Sequence, residues 1–252
     1  MKERFRNRKI VVTGGAMGIG AATARTLVEE GAFVYIVDKI QDAAEELVAS
    51  LDGRAQFLYA DLSDQQSIRE LGSTMLTMTD SLHGLVNNGG IVLPSSIAES
   101  NDDDWDPQLA INLRAPLLCT QVLLPLLKRG PGHIVNISSE AAFRPRAGNI
   151  VYDATKAAVC SLTRSMAVEF AASGIRANTV APGWTVTEMH TGRGDDSSER
   201  RRQLESLTID SNILGRLGRP HEIAAAVVFL LSDDASYITA STIHADGGRV
   251  AN

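Results

Sequence analysis

The sequence predicts an α/β fold: a doubly wound parallel sheet of about seven strands with helices on both faces. Three observations carry this expectation. Short Val/Ile-rich runs alternate with amphipathic stretches along the whole chain, the pattern of repeated strand–helix–strand units. The strand runs are continuously apolar, as strands covered on both faces are. A glycine-rich turn, Gly14-Gly15-Ala16-Met17-Gly18-Ile19-Gly20, joins the first strand to the first helix. Right-handed crossovers between parallel strands then wind the sheet both ways from its first strand.

The elements follow in order. Ile10 to Thr13 is the first expected strand, and Ile19 to Glu30 the first helix, stopped by Gly31. Phe33 to Val37 is the second strand, Asp42 to Leu51 a helix with an acidic outer face, and Gln56 to Tyr59 the third strand. Ser63 to Ser81 has helical periodicity, with Ser63 as the expected N-cap. Gly84 to Val86 is a fourth strand. A long helix spans Trp105 to Leu127, and Pro116 within it predicts a kink or break, because proline has no N–H for the helical ladder. His133 to Ile137 is the fifth strand, Val151 to Ala172 a second long helix and Arg176 to Val180 the sixth strand. Ile223 to Leu231 is a late helix and Thr242 to Ala245 the seventh strand. No linker or internal repeat interrupts the pattern, so residues 1–252 are expected to form one domain. The polar stretch from Thr187 to Asp210 is its one weakly patterned segment, expected to be a lid or loop.

With 252 residues, of which 44% are hydrophobic and 21% charged, the chain can bury a substantial core without disulfides or a structural metal. Cys119 and Cys160 lie in apolar helical stretches and are expected to be reduced, buried thiols. The net charge of −6 argues against a nucleic-acid-binding face. The run Arg200-Arg201-Arg202, set among Asp195, Asp196, Glu199 and Glu205, is expected to be a solvated mixed-charge helix. The basic segment Met1 to Lys9 leads into no apolar run long enough for a signal peptide or a membrane span. Neither nucleic acid nor membrane is therefore an expected partner, the expected location is cytoplasmic, and no metal-ligand cluster is visible.

Two features carry chemistry. In the glycine turn, residues without side chains let the backbone approach a pyrophosphate at a helix N-terminus; a plain tight turn is the alternative. Asp38 ends the second strand, 18 residues after Gly20, where an acid can bond both hydroxyls of an adenosine ribose and repel a 2′-phosphate. Asp38 thus points to NAD, with Lys39 the one residue that argues for NADP. Farther along, Tyr152 and Lys156 lie four residues apart on one helix face. A phenol with an ordinary pKa of about 10 is a poor base. A neighbouring ammonium favours the phenolate, and Tyr152 could then take a proton from a substrate hydroxyl. Alone, the pair fits an ordinary surface pair equally well.

In the order of its motifs, the chain resembles the single-domain short-chain dehydrogenases/reductases over nearly its whole length. The matching segments are Thr13 to Gly20, Asp61-Leu62, Asn87-Asn88-Gly89-Gly90, Asn112 and Ile134 to Ser139. Tyr152-Asp153-Ala154-Thr155-Lys156, Pro182-Gly183, the late turn of Arg216, Gly218, Pro220 and Glu222, and Asp246-Gly247-Gly248 complete the series. The resemblance implies a Rossmann-type fold and a nicotinamide cofactor. It also implies a catalytic group of Asn112, Ser139, Tyr152 and Lys156. Tyr152 would be the general acid/base, Lys156 would lower its pKa and hold the nicotinamide ribose, and Ser139 would bond the substrate oxygen. Asn112 would help to hold a water linking Lys156 to solvent; a kink-filling side chain near Pro116 is the alternative. The family serine lies thirteen residues before the tyrosine, which selects Ser139 over Ser138. The resemblance also implies cofactor contacts from Gly14, Gly18, Ile19, Gly20, Asp38, Asp61, Leu62, Asn88, Tyr152, Lys156, Thr185 and Thr187. Asn87 would stabilise the sheet. Gly89 stands for the usual alanine, Thr155 for a common serine, Thr185 for a usual valine or isoleucine and Ala240 for a frequent glycine. None of these departures removes a member of the catalytic group.

The resulting expectation is an NAD-dependent enzyme moving hydride between nicotinamide and a secondary alcohol or ketone. The alternatives are a non-catalytic NAD-binding or redox-sensing protein, or an enzyme of dehydration or isomerisation, on the same fold. The partner is a small-molecule substrate, and family members are commonly homotetramers. Substrate residues are expected between Ser139 and Tyr152 and in a loop at about 184–212. The candidates are Ser139, Arg144, Arg146, Trp184 and His190. The two arginines suit an anionic group; surface or interface arginines are the alternative.

Overall fold

The computed structural model describes residues 3–130, 132–187, 197–207 and 210–252. Among the described residues, seven strands form one parallel sheet: β1 (Lys9–Thr13), β2 (Phe33–Asp38), β3 (Ala55–Tyr59), β4 (Gly84–Asn87), β5 (His133–Ile137), β6 (Ala177–Pro182) and β7 (Thr242–Ala245). Their spatial order is β3-β2-β1-β4-β5-β6-β7. The chain winds outward from β1 to β3, returns to β4 beside β1, and winds outward again. The switch of direction between β1 and β4 leaves a crevice at their C-terminal ends, where sheets of this kind bind ligands.

The apolar strands are explained by cover on both sides. In β1, Ile10 and Val12 face one core and Val11 the other; in β2, Val34 and Ile36 oppose Tyr35 and Val37 in the same way. All of these except Tyr35 are fully buried, each worth roughly 1.5–3 kcal/mol for a Val or Ile side chain. Helices α1 (Gly18–Glu29) and α2 (Gln41–Ala49) close the first face through Leu27, Val28, Ala44 and Leu47. A late helix, Pro220–Leu231, joins them there through Val227 and Val228. Helix α3 (Gln65–Met78) covers the other face through Leu71 and Met75. Its N-cap is Asp64, which accepts from the N–H groups of Gln66 and Ser67. Ser63, the expected cap, instead donates its hydroxyl to Asp61 at 2.7 Å. Asp64 directly precedes the first helical residue, and a carboxylate there also suits the helix dipole.

The long helix expected around Pro116 is broken as the proline requires. Helix α4 (Asp102–Gln108) runs into a π-helical turn (Leu109–Arg114) and then α5 (Ala115–Arg129). Pro116 cannot donate to the Asn112 carbonyl, and the ladder shifts so that the Ala115 N–H bonds Ala110. By length and composition the stretch 102–129 would be apolar enough to cross a membrane, but half of its apolar window is buried inside the protein. Leu123, Leu126 and Leu127 pack there beside Met166 and Phe170 of α6 (Ile150–Phe170). Both cysteines are buried and unbridged. Helix α7 (Ser197–Ser206) carries the basic run, with Arg202 paired to Glu199 at 2.9 Å in an exposed position. Helix α8 (Pro220–Leu231) begins at the late turn. Glu222 there accepts from the Arg219 N–H and from the Arg216 guanidinium, whose bonds hold its carboxyl down at about 2.

Candidate active site

The crevice between β1 and β4 is a cleft of about 320 Å³. Its floor is the glycine turn. Gly14 and Gly18 have φ near +57° and +55°, a conformation in which any other residue is strained. An added Cβ on Gly14 would meet the Gly89 backbone at 2.6 Å. Helix α1 starts there without a side-chain cap, so its first N–H groups suit an anion. The turn is held from beneath by Asn88, whose amide donates to the carbonyls of Thr13 and Gly14 at 3.1 and 2.8 Å. Asp38 closes one end. Its carboxylate accepts from the N–H groups of Ala16, Lys39 and Ile40. Lys39 lies 3.6 Å from the carboxylate of Asp61.

The other end holds Ser139, Tyr152 and Lys156. Ser139 ends the β5 extension and caps a short 3-10 turn (Glu140–Ala142), accepting from the Ala141 N–H. Tyr152 and Lys156 come from one face of α6. The Lys156 ammonium lies 5.6 Å from the Tyr152 ring centre and donates to the Ile137 carbonyl at 3.1 Å. Burial drives the Lys156 pKa down from 10.5 to about 8. Burial is also the largest influence on Tyr152 and pushes it above its ordinary 10. A hydrogen bond with Ser139 and the charge of Arg146 favour the phenolate; Glu140 and Asp153 oppose it. The net direction is upward because desolvation of the phenolate outweighs the groups that favour it.

Behind this end, Asn112 sits buried in the π turn. It accepts from the Ile91 N–H, and donates to the Ile91 carbonyl and to Thr155. Gln108, one turn earlier, clamps Leu93 in the same manner, accepting from its N–H and donating to its carbonyl. A Cβ added to Gly90 would lie 3.2 Å from the Lys156 nitrogen and 3.3 Å from the Asn112 carbonyl oxygen. Both polar atoms therefore converge on the space that this glycine leaves open.

Of the expected cofactor residues, Gly14, Gly18, Ile19, Asp38, Asp61, Leu62, Asn88, Tyr152, Lys156, Thr185 and Thr187 all line the cleft. Gly20 does not. A Cβ there would meet the Gly14 carbonyl at 2.2 Å, so its smallness serves the packing of α1 against the turn. Asn112 stands behind the lining. Ser138 donates to the Lys156 carbonyl at 2.7 Å, and Asn87 donates to Asn136 at 2.8 Å across β4 and β5. The expected substrate arginines lie off the cleft. Arg144 donates to the carbonyls of Arg249 and Asn252, and Arg146 pairs with Glu140 and stacks 4.7 Å from the Trp184 ring. Trp184 lines a second hollow with Asn212, Ile213, Leu214 and His244. His190 lies outside the described residues. The sequence reading missed Ile91 and Ile111, which line the cleft beside Gly90 and Asn112; their positions next to both motifs were the available signal.

These features can be compared with known proteins. The family described as "Enoyl-(Acyl carrier protein) reductase" matches residues 14–249. Cyclopentanol dehydrogenase of Comamonas sp. is 36% identical over 99% of each chain. Cis-4-hydroxycyclohexanecarboxylate dehydrogenase of Sinomonas cyclohexanicum is 39% identical over the full length of both. Meso-2,3-butanediol dehydrogenase of Serratia marcescens is 33% identical over 99% of this chain and 97% of its own. A solved short chain dehydrogenase/reductase family protein, 34% identical, superposes with a TM-score of 0.85 over 99% of this chain and 100% of its own. The switch-point cleft, the glycine turn and the Tyr152/Lys156 pair thus sit in a chain that belongs to the short-chain dehydrogenase/reductase family.

Proposed function

We propose that this protein is an NAD-dependent dehydrogenase that interconverts a secondary alcohol and its ketone. The observation that carries this reading is the convergence of Ser139, Tyr152 and Lys156 at one end of a cleft whose other end is a glycine turn closed by Asp38. The residues fit a dinucleotide: a Cβ-free floor, an uncapped helix start and an acid placed for ribose hydroxyls. Asp38 presents negative charge where NADP would bring a phosphate, and Lys39 is drawn toward Asp61; both favour NAD.

In oxidation, Ser139 donates a hydrogen bond to the substrate oxygen and fixes it beside Tyr152. The Tyr152 phenolate accepts the hydroxyl proton. Oxidised nicotinamide, when bound, supplies the hydride acceptor and a positive charge close to the phenol. Lys156, still mostly protonated at neutral pH with its pKa near 8, adds a second positive charge that favours the phenolate. Asn112 and Gln108 clamp the backbone at Ile91 and Leu93, which follow Gly90 beside the Lys156 nitrogen. Relatives named for cyclopentanol, 2,3-butanediol and 4-hydroxycyclohexanecarboxylate support a secondary alcohol as substrate. The test is absorbance at 340 nm with each of these three alcohols and either NAD or NADP. NAD-dependent turnover of at least one is expected, with kcat/KM at least tenfold higher than with NADP. Saturable NAD binding without turnover of any secondary alcohol would favour the non-catalytic reading.

A further inference from the structure

A buried ion pair lies directly behind the serine. Glu140 follows Ser139 in the chain and is almost fully buried. One carboxylate oxygen accepts from the Arg249 Nε at 2.9 Å, and the other lies 3.4 Å from Arg146. Arg249 comes from the last turn of the chain, 109 residues away, and is itself buried. Its guanidinium also donates to the Ser211 carbonyl at 2.9 Å. The turn that presents it is fixed on its own account, since Asp246 accepts from the N–H groups of Gly248 and Val250. Arg144 then holds the backbone carbonyls of Arg249 and Asn252. One guanidinium thus joins the serine turn, the residues before α8 and the C-terminal end.

A structural staple would account for the bonds alone, but the location adds a consequence. Among the described residues, the charged groups acting on Tyr152 are Lys156, Glu140, Arg146 and Asp153. Of these, Glu140 is paired with a residue from the C-terminal end, Arg249, at 2.9 Å. We propose that Arg249, acting through Glu140, is a positioning residue for the Ser139–Tyr152 pair, fixing the serine turn and offsetting the carboxylate charge beside the phenol. This rests on the reading of Tyr152 as the proton-transfer group. A buried carboxylate left with only the more distant Arg146 acts more strongly on its surroundings. Arg249→Leu therefore makes Tyr152 harder to ionise, Glu140→Gln makes it easier, and the double variant returns it toward the parent.

The experiment places a difluorotyrosine at position 152 and follows its ionisation by fluorine NMR in the intact protein, so that the readout does not need turnover. Relative to the parent, Arg249→Leu is expected to raise the midpoint by about one pH unit, equivalent to about tenfold in the phenolate equilibrium. Glu140→Gln is expected to lower it, and Glu140→Gln/Arg249→Leu to fall between the single variants. Wherever turnover is measurable, the acid limb of kcat/KM for alcohol oxidation should move in the same directions. Shifts of the same sign in both single variants, or unmoved midpoints with only a lower Tm, would overturn the proposal. If Arg249→Leu does not fold, the nearly isosteric Glu140→Gln decides alone, and an unmoved midpoint there counts against it. Opposed midpoint shifts in a protein that oxidises no alcohol would leave the positioning role standing and remove the dehydrogenase reading.

Discussion

Replacing Tyr152 by Phe is expected to lower kcat for alcohol oxidation by about a thousandfold, within the range that general acid–base groups contribute. The ring is retained, so α6 packing and the Lys156 contact over the ring face persist. What disappears is the oxygen proposed to take the substrate proton. NAD affinity should change by less than about threefold, because Asp38 and the glycine turn lie at the far end of the cleft. The pH profile supplies a second check. In the proposed mechanism the parent uses the ionised phenol, so its kcat/KM for oxidation should rise with pH as Tyr152 loses its proton. Burial and Glu140 oppose that ionisation among the protein's own groups, and the positive charges of Lys156 and of bound oxidised nicotinamide favour it. The Phe variant should lose this limb. Steady-state kinetics from pH 6 to 10, with NAD binding followed by fluorescence, measure both; a variant keeping more than a tenth of parental kcat would remove Tyr152 from the proton transfer.

Changing Asp38 to Asn is expected to shift the kcat/KM ratio of NAD over NADP toward NADP by about 10- to 100-fold. That corresponds to the roughly 1.5–3 kcal/mol of a hydrogen bond to a charged group. The variant keeps the shape of the side chain but removes the charge proposed to bond ribose hydroxyls and repel a 2′-phosphate. Most of the change should appear as a higher KM for NAD with kcat little altered, since Asp38 is remote from Ser139 and Tyr152. With the amide nitrogen in place of Oδ2, the bond from the Ala16 N–H is lost and those from Lys39 and Ile40 to Oδ1 persist, which predicts a small loss of Tm. An unchanged cofactor ratio would contradict the role of Asp38, whatever the Tm does.

The sheet was legible because strands buried on both faces must be apolar throughout, and β1 and β2 show that pattern openly. The break at Pro116 followed from a missing N–H, whereas its form, a π turn that carries Asn112, depends on packing that no local rule encodes. Ser63 and Asp64 were both acceptable caps by type, and the choice was made by one residue of register. The cleft residues were legible wherever glycine or a charged group marks a turn, as at Gly14 and Asp38. Gly20 belongs to the same motif yet serves helix packing, a distinction that only the 2.2 Å approach to Gly14 reveals. Arg144 and Arg146 looked suited to a substrate anion, but their partners are the C-terminal carbonyls and Glu140, which lie far away in sequence or hidden in a turn. For the same reason the Glu140–Arg249 pair left no sequence signal.

Hydride transfer from a carbinol carbon can be followed with deuterium placed on that carbon in a secondary alcohol turned over with NAD. Label is expected on the nicotinamide ring, read by mass spectrometry of the reduced dinucleotide, together with a slower chemical step. Label released to water, or retained in a rearranged or dehydrated product while the nicotinamide stays oxidised, would contradict that transfer.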